Sequence, residues 1–188
     1  MRHPQIEILN NLYQKETQPF RKVHRMIDLF ECILKSHTAV IISTYFNENK
    51  LSDAVKGLLA DGLRTPSLGT WQLFSRIIQA ELTCANVPSF LPSFQKEFEW
   101  LDKSLSEEKT NIISFRNGYA HGATPTDEQC NTDITKFSPF LEKLLNLSWQ
   151  KESGIELQNG KVILIRMHDN ASLSLYPILV TREEQGPQ

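Results

Sequence analysis

The stretch FRKVHRMIDLFECILKSHTAVIISTY, residues 20 to 45, decides the fold class. Phe20, Val23, Ile27, Phe30, Leu34, Ile41 and Tyr45 follow the three- and four-residue period of one face of a helix. The stretch therefore predicts a single long amphipathic helix whose apolar stripe must be covered by other helices. A shorter helix is expected from Ile6 to Lys15, with Gln18-Pro19 as the break between the two.

The same period continues downstream. Leu51 to Leu63 reads as a short helix closed by Asp61-Gly62, and Thr65-Pro66-Ser67 opens another that carries Trp71, Phe74, Ile77, Ile78 and Leu82. After a loop from Pro88 to Pro92, Phe94, Phe98, Leu101 and Leu105 resume the pattern, and Ile112, Phe115 and Tyr119 extend it. Thr126-Asp127-Glu128 is a further helix start, leading to Ile134, Phe137, Phe140, Leu141, Leu144 and Leu147. Beyond Trp149 the pattern changes. Ile155-Glu156-Leu157 and Val162-Ile163-Leu164-Ile165 flank Asn159-Gly160, a hairpin signal, and Leu173 to Thr181 reads as a third extended segment. Pro177 within that segment suggests an edge strand or a bulge. The expected fold is mostly α: an antiparallel helical bundle over residues 1–150, with a small C-terminal antiparallel β appendage and polar tail over 151–188.

Composition narrows the function classes. With 188 residues the chain can bury a core unaided, and 20 Lys and Arg against 22 Asp and Glu leave a net charge of −2. That balance creates no global field for nucleic acid or an anionic membrane, so any anion site must be local. Cys32, Cys84 and Cys130 are scattered without close Cys or His partners, which fits structural thiols in a reducing compartment. No signal peptide or membrane-spanning run is found, and a cytoplasmic location is expected. The apolar segment near the C-terminus, followed by a polar tail, fits either a natural end or the N-terminal module of a longer protein.

The chemistry concentrates in Arg116-Asn117-Gly118-Tyr119-Ala120-His121, followed by the stop signal Gly122-Ala123-Thr124-Pro125. With Ile112 at zero on a wheel of ~100° per residue, Phe115 and Tyr119 fall near ~300° and ~340° and Arg116 near ~40°, inside the apolar arc. A cation there needs an anion or a partner. Asn117 and His121 share another face, four residues apart. Arg116 and His121 are separated by ~140° and ~7.5 Å, so meeting on one phosphate is easier if two copies of the helix face each other across a two-fold axis. Gly118 would then permit close approach, with Tyr119 beside it at the dimer interface. A structural reading stands alongside: Arg116 pairs with a carboxylate such as Glu107 or Glu108, and His121 is favoured by the helix C-terminal dipole.

These six residues match the Arg-x(4-6)-His motif, in its Arg-Asn-x-x-x-His form, of the HEPN superfamily (higher eukaryotes and prokaryotes nucleotide-binding domains), which the chain resembles. The architecture over about residues 4 to 150 is similar too, and Thr65-Pro66-Ser67-Leu68-Gly69-Thr70-Trp71 looks like a segment of HEPN-like modules in bacterial multidomain proteins. The C-terminal hairpin departs from the minimal bundle. The resemblance implies a homodimer with facing motif helices and a metal-independent endoribonuclease, of the kind used in toxin or defence systems. Arg116, Asn117 and His121 would be catalytic, the substrate single-stranded RNA, and no cofactor or metal is expected. It equally admits a non-catalytic dimerisation or RNA- or ligand-sensing module serving a downstream domain.

Other candidates are fewer. Arg21, Lys22 and Arg25, with His24, form a basic cluster that could hold an RNA backbone or be a solvated face. His37 lies on the apolar stripe of the long helix and reads as a hydrogen-bonded core histidine. No paired-histidine metal spacing, nucleophile elbow or phosphate-binding glycine loop occurs.

Overall fold

A computed structural model describes residues 3–48, 52–64, 67–107, 110–120, 124–159 and 161–175. The long helix is present as α2 (Pro19–Asn47), preceded by α1 (Pro4–Lys15). Proline occupies the first turn of each, where its missing N–H has no intrahelical partner to lose. Next come α3 (Asp53–Gly62), α4 (Leu68–Cys84), α5 (Phe94–Ser106), α6 (Ile112–Ala120) and α7 (Asp127–Leu145). The short α8 (Trp149–Glu152) leads into β1 (Ser153–Gln158), β2 (Lys161–Arg166) and β3 (Ser172–Ser174). The mostly helical bundle with a small C-terminal antiparallel sheet is therefore the observed fold.

Helix starts follow local chemistry. Ser52, Ser67 and Thr126 cap α3, α4 and α7 by accepting the N–H of Val55, Thr70 and Gln129, and Ser67 with Thr70 forms a reciprocal capping box. Helix α4 closes with Asn86 at φ 53° while the Val87 N–H reaches back to the Leu82 carbonyl, which satisfies an end carbonyl without glycine.

Helix α2 is the central element. Its buried residues meet α1, α4, α6 and α7, and Phe30 packs edge-on to Phe115 of α6 and Phe137 of α7. Phe115 and Phe137 stack with centroids 4.2 Å apart. Helices α4 and α5 run antiparallel, tied by Gln79 to Gln95 near one end and by Arg76 to Asp102 and Ser106 near the other.

In the sheet Gln158 pairs with Lys161, leaving a two-residue turn in which Asn159 has φ 51°, as the Asn-Gly signal requires; Gly160 lies outside the described residues. Of the third extended segment only the start is described, as β3, and Pro177 lies outside. The sheet order is β1-β2-β3, and Leu164 and Leu173 join the same hydrophobic core as the helices. Arg166 fastens the sheet further: it donates to the Phe90 carbonyl at 2.7 Å and forms a two-point pair with Asp169.

His37 departs from expectation. It is fully buried, but its ring stacks on Phe94 at 4.0 Å with Phe98 and Trp149 alongside, and neither ring nitrogen has a hydrogen-bond partner. An aromatic box gives the imidazole no acceptor, so burial lowers its pKa to about 3. The unfolded chain therefore binds a proton that the fold rejects, and stability contributed above the unfolded value near 6.5 is lost as pH falls toward 3. Burial lowers the pKa of His3 as well, with the same sign. Urea unfolding should show on the order of 2 kcal/mol less stability at pH 5 than at pH 7 from His37 alone. His37→Phe, which keeps the stack, should remove that part of the slope. An unchanged slope would mean that the imidazole is protonated or partnered inside the fold.

Among the described residues no helix is long and apolar enough to cross a membrane. All three cysteines are free: Cys130 is buried and Cys32 half-buried, its thiol pushed up to about 11 by burial. Cys84, by contrast, is exposed at the end of α4, so it is not a packing residue.

Candidate functional site

Helix α6 carries the six-residue motif to Ala120; His121 lies outside the described residues. Ile112 and Phe115 are buried, Arg116 and Tyr119 half-buried, and Asn117, Gly118 and Ala120 exposed. The wheel therefore orients the helix correctly: Ile112 and Phe115 face the core, and Arg116 lies at the edge of the buried face.

The anion that Arg116 needs comes from α2. Arg116 Nε donates to Glu31 Oε1 at 3.2 Å, while Glu31 Oε2 accepts from Lys35 Nζ at 2.8 Å. Glu107 pairs with no arginine among the described residues, and Glu108 lies outside them. The reason is directional. Arg116 meets Glu31 whereas Tyr119 meets His24, one turn and more nearer the start of α2, so the two helices run antiparallel and bring a side chain 85 residues away onto the guanidinium.

Arg116 Nη1 donates to Asn117 Oδ1 at 3.4 Å, and Nη2 has no partner among the described residues. Two cations share one carboxylate here, leaving a local surplus of one positive charge. Both Arg116 and Glu31 keep partial exposure, 35% and 24% of their side chains, so water or an anion can reach them.

Tyr119 fixes the end of the helix from the other side. Its hydroxyl donates to Asp133 Oδ2 at 2.8 Å and lies 3.9 Å from Cys130 Sγ, both on α7. Burial, then the Asp133 hydrogen bond, pushes the phenol above its usual range, so it remains a donor. Gly118 differs. A Cβ placed there meets nothing within 4 Å among the described residues.

The α2 basic cluster lies on the turns that face this end of α6. His24 packs edge-on to Tyr119 at 6.1 Å and to Phe20 at 4.5 Å, with its Nε2 buried and unpartnered. Arg21 is exposed, Lys22 sits 5.2 Å over the Tyr13 ring, and Arg25 pairs loosely with Asp28 at 3.5 Å. Glu31, Lys35 and Asp133 were not singled out in the sequence. The one available signal was the Glu31 to Lys35 spacing on a long helix, which is common on any solvated helix face. Among the described residues no group of three or more His, Cys, Asp or Glu side chains is placed to hold a metal ion. No family model, curated protein or solved structure matches the chain.

Proposed function

We propose that this protein is a HEPN-type endoribonuclease that cleaves single-stranded RNA without a metal, at a composite site formed by the α6 helices of a homodimer. The observation that carries the reading is the partly exposed Arg116 guanidinium, which donates through Nε to Glu31 and through Nη1 to Asn117. Its planar fork suits two phosphoryl oxygens. Lys35 adds a second cation, and Arg21, Lys22 and Arg25 near the start of α2 would hold the flanking RNA backbone.

In the proposed reaction a ribose 2′-oxygen attacks the adjacent phosphorus. The 2′-O–P bond forms as the P–O5′ bond breaks, the 2′-hydroxyl proton is taken up, and a proton is delivered to the departing 5′-oxygen. His121 would serve this proton transfer, Arg116 would stabilise charge on the phosphoryl oxygens, and Asn117 would orient either group. The products are a 2′,3′-cyclic phosphate and a 5′-hydroxyl. Purified protein should cleave RNA but not DNA in the presence of EDTA and leave these ends. Ends carrying a 3′-hydroxyl and a 5′-phosphate would overturn the mechanism. Intact RNA under every condition, with any downstream domain restored, would favour the interaction-module reading.

Assembly is tested at Gly118. Gly118→Ala should stabilise the protomer by up to about 1 kcal/mol, since helix propensity rises and the added Cβ meets nothing among the described residues. The bulkier Gly118→Leu should raise the dimer dissociation constant measured by analytical ultracentrifugation. A strictly monomeric wild type, or a dimer indifferent to Gly118→Leu, would remove this interface.

A further inference from the structure

Helices α5 and α7 line a common groove. From α5 come Trp100 and Lys103, with Glu107 just past its end, and from α7 Lys136, Phe140 and Lys143. The groove is open, with a volume of about 680 Å³, and one end reaches Thr110, just before α6. Its floor is aromatic: Trp100 is half-buried against Phe140, ring centroids 5.6 Å apart. Its rim is basic. Lys103, Lys136 and Lys143 are exposed and form no salt bridge among the described residues, and Glu107 is the one carboxylate among the described residues of the lining. Lys143 Nζ lies 4.9 Å over the Trp100 ring, so a cation already marks the face on which a planar group would stack.

We propose that this groove binds single-stranded RNA, with a base stacked on Trp100 and the backbone phosphates held by Lys103, Lys136 and Lys143. The choice of ligand rests on the RNA reading of the α6 site, but the groove is separate from Arg116 and is tested by binding alone. Aromatic floors with basic rims suit single strands because every base has a π face and every linkage a charge. An amphipathic helix would instead need a row of aliphatic contacts, which one tryptophan, one phenylalanine and one proline do not supply. On binding, the Lys143 ammonium exchanges its cation–π contact for a phosphate while the base takes its place.

The test is fluorescence anisotropy with a labelled dodecauridylate, over a salt series, on the full chain. Wild type should bind, and the triple variant Lys103→Gln, Lys136→Gln, Lys143→Gln should lose at least tenfold in affinity and flatten the log–log salt slope by about 2. Trp100→Leu should weaken binding by about 5- to 100-fold; circular dichroism would show whether it folds, and the triple variant alters only exposed residues. No binding by wild type, or an unaltered affinity and slope in the triple variant, overturns the proposal. Equal competition by polyglutamate also overturns it, in favour of an acidic protein partner. Binding lost in the triple variant with no cleavage by wild type would uphold the groove while rejecting the nuclease.

Discussion

Phe115→Ala is expected to destabilise the protein by about 3–5 kcal/mol, a large part of the margin of an ordinary domain. The side chain is 9% exposed and lies in a four-way aromatic junction, stacked on Phe137 and edge-on to Phe30 and Tyr119. Its removal leaves a cavity where α2, α6 and α7 meet, directly beneath the turn that presents Arg116. Thermal or urea unfolding of the variant measures the cost. His121→Ala provides the contrast, with little change expected for a residue that the sequence reading puts near a helix end. An equal loss in both variants would assign His121 a structural role and detach it from catalysis. A loss below about 1 kcal/mol for Phe115→Ala would mean that the junction collapses around the gap and does not hold the site rigid.

Arg116→Ala should lower the rate of RNA cleavage by at least about 10²-fold, the scale seen when a preorganised charge donor is removed. Stability should change by under about 1 kcal/mol, because the Glu31 pair is partly exposed and solvent screens it. Arg116→Lys should not restore activity, since an ammonium that stays on Glu31 has no second edge for phosphate. Glu31→Gln separates holding from charge. It retains an acceptor for Nε, so it should reduce cleavage less than Glu31→Ala, with the loss in kcat where a positioning role would place it. Equal activity in wild type and Arg116→Ala, measured on one RNA with defined cyclic-phosphate ends, would sink the proposed chemistry.

Much of the architecture is legible locally because its causes are local. A helix face repeats every three or four residues, so the stripe from Phe20 to Tyr45 locates α2 without any knowledge of its neighbours. Ser52, Ser67 and Thr126 mark helix starts because each hydroxyl accepts an N–H only three residues away. Asn159 marks the hairpin because it tolerates positive φ. The orientation of α6 was likewise readable from its wheel, including the awkward position of Arg116.

Partners across the fold are a different matter. The carboxylate that Arg116 requires could be inferred, but its identity could not, since Glu31 reaches it only because α6 packs antiparallel to α2 across 85 residues of chain. His37 shows the same boundary. Its position on an apolar stripe predicted burial, whereas the absence of any acceptor arises from Phe94, Phe98 and Trp149, contributed by two other helices. Hydrophobic period and capping are properties of a few consecutive residues, so the chain specifies them segment by segment. Ion pairing, desolvation and the convergence of Lys103 with Lys136 and Lys143 depend on which helix faces come together, and only the packed bundle decides that.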